Sequence, residues 1–298
     1  MMQDGARAGE GDTDQFRVYQ YIIHCIEHGE FLRVMVQASA GTGKSFLLNT
    51  VFLWCLVKGK RVKAAAPTGI AAANIEIERT SVRATTIHQM FEFDNEFKTK
   101  IDFTKQTQSV VELLNLEILL LDEVSMIDER CYSGICDVLS IIDHTRRPTE
   151  RASADCFGPM HILLFGDFKQ LPPATSRAPF IVHPRVTGDF QFRCLRENRR
   201  VVQDDSRRAE LDMFHKVLTD ISQGADSNDV RSFIIDAYVR GYKIGCAENV
   251  EFEGSTAVFT RRRYRDKWNR TVVRRVSKKH NHSLKTVSYT HLTLPTKA

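Results

Sequence analysis

The chain has no long hydrophobic run. Its longest unbroken apolar stretch, Val51 to Val57, is seven residues, against roughly 18 or more for a membrane span. No membrane-crossing helix and no membrane partner are therefore expected. The opening residues Met1-Met2-Gln3-Asp4-Gly5 offer no apolar h-region, so a secretory leader is not expected there. Cysteine is thinly spread: Cys25, Cys55, Cys131, Cys136, Cys156, Cys194 and Cys246 are odd in number and contain no C-x-x-C. That excludes a disulfide framework and favours reduced thiols in a nuclear, cytosolic or organellar interior. Internal repeats are absent too. What is present, 42% hydrophobic and 27% charged residues, has the composition of a globular protein. A length of 298 residues accommodates about two domains of roughly 150 residues each.

The net charge of +5 is unevenly placed. Residues 255–285 hold eleven Lys and Arg and one acid, Asp266, a net +10 that leaves −5 on the rest of the chain. Two readings of this segment stand side by side, a polyanion-binding surface and a solvated basic helix. Tyr264 and Trp268, four residues apart within it, fit either a stacking platform for bases or core packing of a second domain.

Residues 1–12 are rich in Gly, Asp and Glu and read as a disordered tail. Helical spacing of apolar residues runs from Phe16 to Ile26, with Gly29 as a stop. Short strands are expected at Arg33 to Gln37, Arg61 to Ala66, Glu117 to Leu121 and Met160 to Phe165. Helices are expected at Lys44 to Val57 and Ile127 to Ile142. Strands alternating with helices imply an α/β fold with a parallel sheet covered on both faces. The polar stretch from His144 to Pro159 reads as a surface loop. Beyond Phe192 two helices are expected, Ser206 to Gln223 and Asp229 to Arg240, and then a strand at Thr256 to Thr260 opening a second domain. His24 and His28 are spaced i, i+4 with no third ligand in view, so a solvated helix face is expected rather than a metal site. Residues 287–298 resemble the translation of a transposase adapter used in sequencing libraries. They are expected to be non-native and are left out of the fold reading.

The strongest chemical signal is Ala38-Ser39-Ala40-Gly41-Thr42-Gly43-Lys44-Ser45, between an expected strand and an expected helix. A triphosphate needs its charge held without water. Backbone N–H groups of the small-residue loop Ser39 to Gly43, followed by a helix N-terminus, provide such a cradle for ATP. Lys44 then reaches the outer phosphates and the Ser45 hydroxyl ligates Mg²⁺. Ala38 replaces the usual leading Gly, which is permitted if its φ is negative. Leu119-Leu120-Leu121-Asp122-Glu123 is an apolar strand ending in two acids. They lie at the sheet's C-terminal edge, where α/β ligands bind; Asp122 suits Mg²⁺ and Glu123 suits general base. A third strand ends in Gly166-Asp167-Phe168-Lys169-Gln170-Leu171-Pro172-Pro173, where Gln170 is placed to sense the γ-phosphate.

With this last element, G-D-x-x-Q-L-P-P, the chain resembles the PIF (petite integration frequency) helicases, superfamily I enzymes that move 5′ to 3′ on single-stranded DNA, and their RecD-like relatives. The resemblance runs from about Thr13 to Arg275. It implies a RecA-like phosphate-loop ATPase domain over 13–194, followed at 195–286 by linker helices and the start of a second RecA-like domain. It implies an ATP-dependent DNA helicase working in repair, recombination or telomere maintenance, most simply as a monomer. The location would be nucleus or mitochondrion in a eukaryote and cytoplasm otherwise. By the same resemblance Gln15 contacts adenine, though an ordinary helix-start Gln is nearly as good a reading of that residue. Pro67, Thr68, Thr86 and His88 touch the DNA strand. Arg200, with Arg199 as the fallback, reaches the γ-phosphate from Leu195-Arg196-Glu197-Asn198-Arg199-Arg200. The family's H-K-x-Q-G and S-R segments, which the resemblance places in the second domain beyond Thr260, do not occur there, so the chain is expected to be an N-terminal fragment. Two other functions remain open: the helicase region of a rolling-circle transposase, and an ATP-gated nucleic-acid-binding module that does not unwind.

Overall fold

The computed structural model describes residues 13–75, 83–148, 157–170, 172–173, 177–197, 208–225, 227–236, 263, 266–267 and 270–271. Six strands, β1 (Arg33–Ala38), β2 (Val62–Ala66), β3 (Thr85–Thr86), β4 (Ile118–Leu121), β5 (His161–Gly166) and β6 (Gln191–Leu195), form one sheet in the order β3-β2-β4-β5-β1-β6. Every pairing is parallel. The helices are α1 (Asp14–Glu27), α2 (Lys44–Val57), α3 (Gly69–Ala73), α4 (Ile87–Met90), α5 (Gln108–Leu114), α6 (Glu129–Arg146), α7 (Pro184–Asp189) and α8 (Arg208–Ser222). The α/β parallel-sheet expectation is borne out.

The strands read as apolar runs because both faces of the sheet are covered. Met35, Ala65, Leu119, Leu121, Ile162 and Leu164 face a core built with α5 and α6. Their neighbours Val34, Val36, Ala64, Leu120, Leu163 and Phe165 face a second core built with α1 and α2. One residue of register would exchange the two sets. The pairing Ala65↔Leu121, Leu121↔Leu164 and Gln37↔Gly166 brings the C-terminal ends of β2, β4, β5 and β1 to one edge. All the loops that carry chemistry leave from that edge.

The chain divides into two units, Met1–Lys216 and Val217–Ala298. In the second unit the described residues include a helix at 228–236, with Val217 and Val230 buried. The expected strand at Thr256 to Thr260, the aromatic pair Tyr264 and Trp268, most of the basic segment, the first twelve residues and the tail at 287–298 lie outside the described residues.

Two expectations are corrected and one strand is added. The helix read as Ile127 to Ile142 continues to Arg146, into the stretch expected to be a loop. Arg146 explains the extension: its guanidinium donates to the carbonyls of Leu113, Leu114 and Leu116 at the end of α5 and the entry to β4. That ties the last turn of α6 to the sheet. Phe157, in the same stretch, is buried and stacks edge-on against Phe190. The two helices expected beyond Phe192 are present, at 208–222 and 228–236, and residues 191–195 form an additional strand, β6. Its sequence Gln-Phe-Arg-Cys-Leu has one buried residue, Leu195, so an edge strand there carries no apolar run to announce it.

Candidate active site

The phosphate loop joins β1 to α2. Ala38 ends β1 in extended backbone, so the missing Gly at that position is harmless. Gly41 and Gly43 adopt φ 85° and 81°, the left-handed region open to glycine. Thr42, buried between them, folds the loop on itself, its amide and hydroxyl both donating to Ser39 O at 3.2 and 2.8 Å. Gly43 caps α2 with no side-chain hydrogen bond, which leaves the first-turn N–H groups of that helix open to an anion. Ser39, Ala40 and Ser45 are exposed there.

Lys44 turns from the start of α2 to the end of β4. Its Nζ lies 2.7 Å from Asp122 Oδ1 and 2.6 Å from Glu123 Oε1. Asp122 is buried and its amide donates to Ala65 O at 2.9 Å. Burial holds the Asp122 carboxyl above its ordinary range, the charge and hydrogen bond of Lys44 offsetting only part of that rise. A carboxylate so placed calls for a cation. Glu123 sits at φ 50°, a left-handed conformation that strains a residue with a Cβ. It opens the 3-10 turn Val124–Met126 that aims the chain away from the sheet. Such local strain is stored where the surrounding fold over-determines the geometry. The Ser45 hydroxyl with the Asp122 carboxylate is a donor set suited to Mg²⁺, which takes one or two protein oxygens and keeps its water.

At the end of β5, Asp167 is buried and organises its turn. It accepts from Gln37 Nε2 at 2.9 Å, from Lys169 N at 3.1 Å and from Gln170 Nε2 at 3.2 Å. Gln37 also accepts from Phe168 N at 3.1 Å. Gln170 itself is exposed. The sequence reading missed Gln37; its signal was an amide following the apolar run Val34-Met35-Val36 in β1. Gln15, by contrast, is nine-tenths buried and donates from Nε2 to Thr42 O at 2.7 Å, so it reaches the loop's backbone.

The expected DNA-contact residues leave the adjacent strands β2 and β3. Ala66 pairs with Thr86, which brings Pro67 and Thr68 beside Thr86. Thr68 caps α3 by accepting from Ala71 N at 3.2 Å. Thr86 caps α4 in a capping box with Gln89. Each hydroxyl keeps its proton for an outside acceptor. His88 is exposed and lies against Phe97, ring centroids 5.1 Å apart. A cavity of about 260 Å³, lined by Gly69, Ala72, Ile75, Arg83, Thr85 and Thr86 among others, opens alongside. Arg199 and Arg200 lie outside the described residues. His24 and His28 are exposed with rings 4.0 Å apart, and among the described residues no group of three His, Cys, Asp or Glu is placed to hold a metal. None of the five described cysteines is in a disulfide. Among the described residues no helix is long and apolar enough to cross a membrane.

The ATP-dependent DNA helicase RRM3 of Saccharomyces cerevisiae is 32% identical over 150 residues, covering 48% of this chain and 19% of that protein. The crystal structure of Pif1 helicase from Candida albicans superposes with a TM-score of 0.61 at 20% identity, over 89% of this chain and 54% of that one. A Bacteroides Pif1 bound to single-stranded DNA gives 0.53 at 24% identity, over 74% and 49%. The chain therefore spans about a fifth of its yeast relative and about half of the solved chains. Residues 12–232 match the family described as PIF1-like helicase, and the chain belongs to that family.

Proposed function

We propose that this chain carries the nucleotide-driven half of a DNA helicase that hydrolyses Mg²⁺-ATP and moves 5′ to 3′ on single-stranded DNA. The observation that supports it most is Lys44, held 2.7 and 2.6 Å from Asp122 and Glu123 beside an uncapped helix start. A cation, two acids and open amides at one sheet edge are the parts that phosphoryl transfer needs. The loop amides bind the phosphates, and Lys44 exchanges its carboxylate partners for phosphate oxygens. Glu123, released from Lys44, takes the proton of the attacking water. Ser45 and Asp122 would hold Mg²⁺, whose charge offsets that of the phosphates when bound. Gln170, carried on the Asp167 turn, reads the outer phosphate. The Thr68 and Thr86 hydroxyls donate to the DNA backbone, and Pro67 and His88 line the same corner. The names of the relatives, ATP-dependent DNA helicases, and the single-stranded DNA in the Bacteroides structure support this reading.

The test is Lys44→Ala. A hydrogen bond to a charged group is worth about 1.5–3 kcal/mol, and each ~1.4 kcal/mol is tenfold in affinity. ATP affinity by titration calorimetry should fall about 10- to 100-fold. Unchanged affinity would refute the nucleotide assignment.

A further inference from the structure

The N-terminus of α1 touches two places that lie far apart in the chain. Gln15 donates to Thr42 O inside the phosphate loop at 2.7 Å. Its neighbour Asp14 turns the other way. Asp14 Oδ2 accepts from the backbone amides of Arg196 and Glu197, the latter at 2.9 Å, and Asp14 N donates to Glu197 Oε1 at 3.1 Å. Arg196 and Glu197 are the first two residues after β6. Both side chains of the dipeptide are more than nine-tenths buried, and α1 is anchored on the sheet by Val18, Ile22 and Ile26. Thr13 caps the helix by accepting from Phe16 N, so the first turn that carries both contacts is itself fixed.

This arrangement exceeds what capping requires. A helix start needs acceptors for its first amides, and Thr13 and Glu197 supply them. Asp14 instead offers its own carboxylate to two amides of another segment, and that oxygen has no role in α1. We propose that Asp14-Gln15 is a rigid link that transmits occupancy of the phosphate loop to the chain leaving β6. Asp14 is a positioning residue in it. A shift of Thr42 when phosphate enters the loop moves Gln15, and the shared backbone carries the shift one residue to Asp14 and on to the amides of Arg196 and Glu197. This rests on the nucleotide reading above and adds to it a defined route out of the site.

Amide hydrogen exchange reports those two N–H groups directly, because their exchange is slowed while Asp14 Oδ2 accepts them. The full chain is measured with and without Mg²⁺-ADP, alongside nucleotide affinity in the same samples. In the wild type, ADP should change exchange at Arg196 and Glu197 by severalfold. In Asp14→Ala both amides should exchange fast whether or not ADP is bound, with ADP affinity within about threefold of wild type. Asp14→Asn keeps one carbonyl oxygen able to accept both bonds and should restore the nucleotide-dependent change, which a variant that merely loosened the fold would not do. If ADP binds the wild type and exchange at 196–197 stays the same, or if the change survives in Asp14→Ala, the link is overturned while the nucleotide site stands. If the wild type binds no ADP, both fall together.

Discussion

Gly43→Ala tests the packing of the phosphate loop more directly than any change to a charged residue. A Cβ at position 43 would lie 1.7 Å from Gln15 Nε2 and 3.0 Å from its Cδ. The Gln15 amide is the end of a side chain, so the clash is relieved by turning it away, which takes its donor from Thr42 O. Leaving that buried acceptor short costs about 1–3 kcal/mol. Holding a non-glycine residue at φ 81° adds about 1–2 kcal/mol. The expected loss is about 2–5 kcal/mol, a large share of a stability of about 5–15 kcal/mol. Urea unfolding of four proteins separates the two parts: wild type, Gly43→Ala, Gln15→Ala and the double variant. With Gln15 truncated there is nothing to clash with, so Gly43→Ala should then cost only the backbone part, about 1–2 kcal/mol. Equal penalties in both backgrounds would show that Gln15 does not pack on this loop in solution.

Three further outcomes follow from single contacts. Glu123→Gln should leave ATP affinity within about threefold, yet lower phosphate release by about 10²- to 10⁴-fold in any form of the protein that turns ATP over; hydrolysis close to wild type assigns the base elsewhere. Asp128 caps α6 by accepting from Cys131 N at 2.8 Å, so Asp128→Ala should cost about 1–2 kcal/mol in urea unfolding, and no measurable loss would contradict the cap. Burial, with Arg33 adding like-charge repulsion, pushes the His161 imidazole from 6.5 down to about 4, and Leu32 N donates to its Nδ1, which requires a neutral ring. The unfolded chain takes up this proton near pH 6.5 and the fold only near pH 4. The stability from the neutral ring is therefore complete above about pH 6.5 and lost as pH falls towards 4; His161→Gln should flatten the difference between unfolding at pH 7 and pH 5.

The parallel sheet was legible because its strands are buried on both faces. Ile118 to Leu121 and His161 to Gly166 are apolar at nearly every position, so the alternation that would mark a half-exposed strand is replaced by a continuous run. α1 was legible for the opposite reason, since it buries one stripe and its apolar residues recur at helical spacing. The elements that escaped lack either signal. β3 is two residues long, and β6 is an edge strand with four of its five residues at least partly exposed. α5 has seven residues, of which Val110 and Leu113 are buried, too few to set a period. Its existence depends on Thr107 as a cap and on Arg146 holding its last carbonyls, and Arg146 lies over thirty residues further on.

The site divides along the same line. Lys44, Ser45, Asp122 and Glu123 could be named from the sequence because each follows a strand end, directly or across the short phosphate loop, and parallel strands put all such ends on one edge. Which of these groups touch is a different matter. Gln37, next to the end of the largely buried strand β1, carries an amide that is costly to bury alone, and only a partner offsets that cost. The partner is Asp167, 130 residues away, supplied because β5 is the neighbour of β1 in the sheet. Asp14 is the same case at greater range, 183 residues from Glu197, and it is met there because β6 is the other neighbour of β1. A buried polar residue inside an apolar element can thus be read locally as a demand for a partner, whereas its identity is set by strand order. In this chain β1 lies between β5 and β6, so the two polar groups nearest its end, Gln37 and the α1 start, draw the Asp167 turn and the exit from β6 onto opposite sides of one phosphate loop.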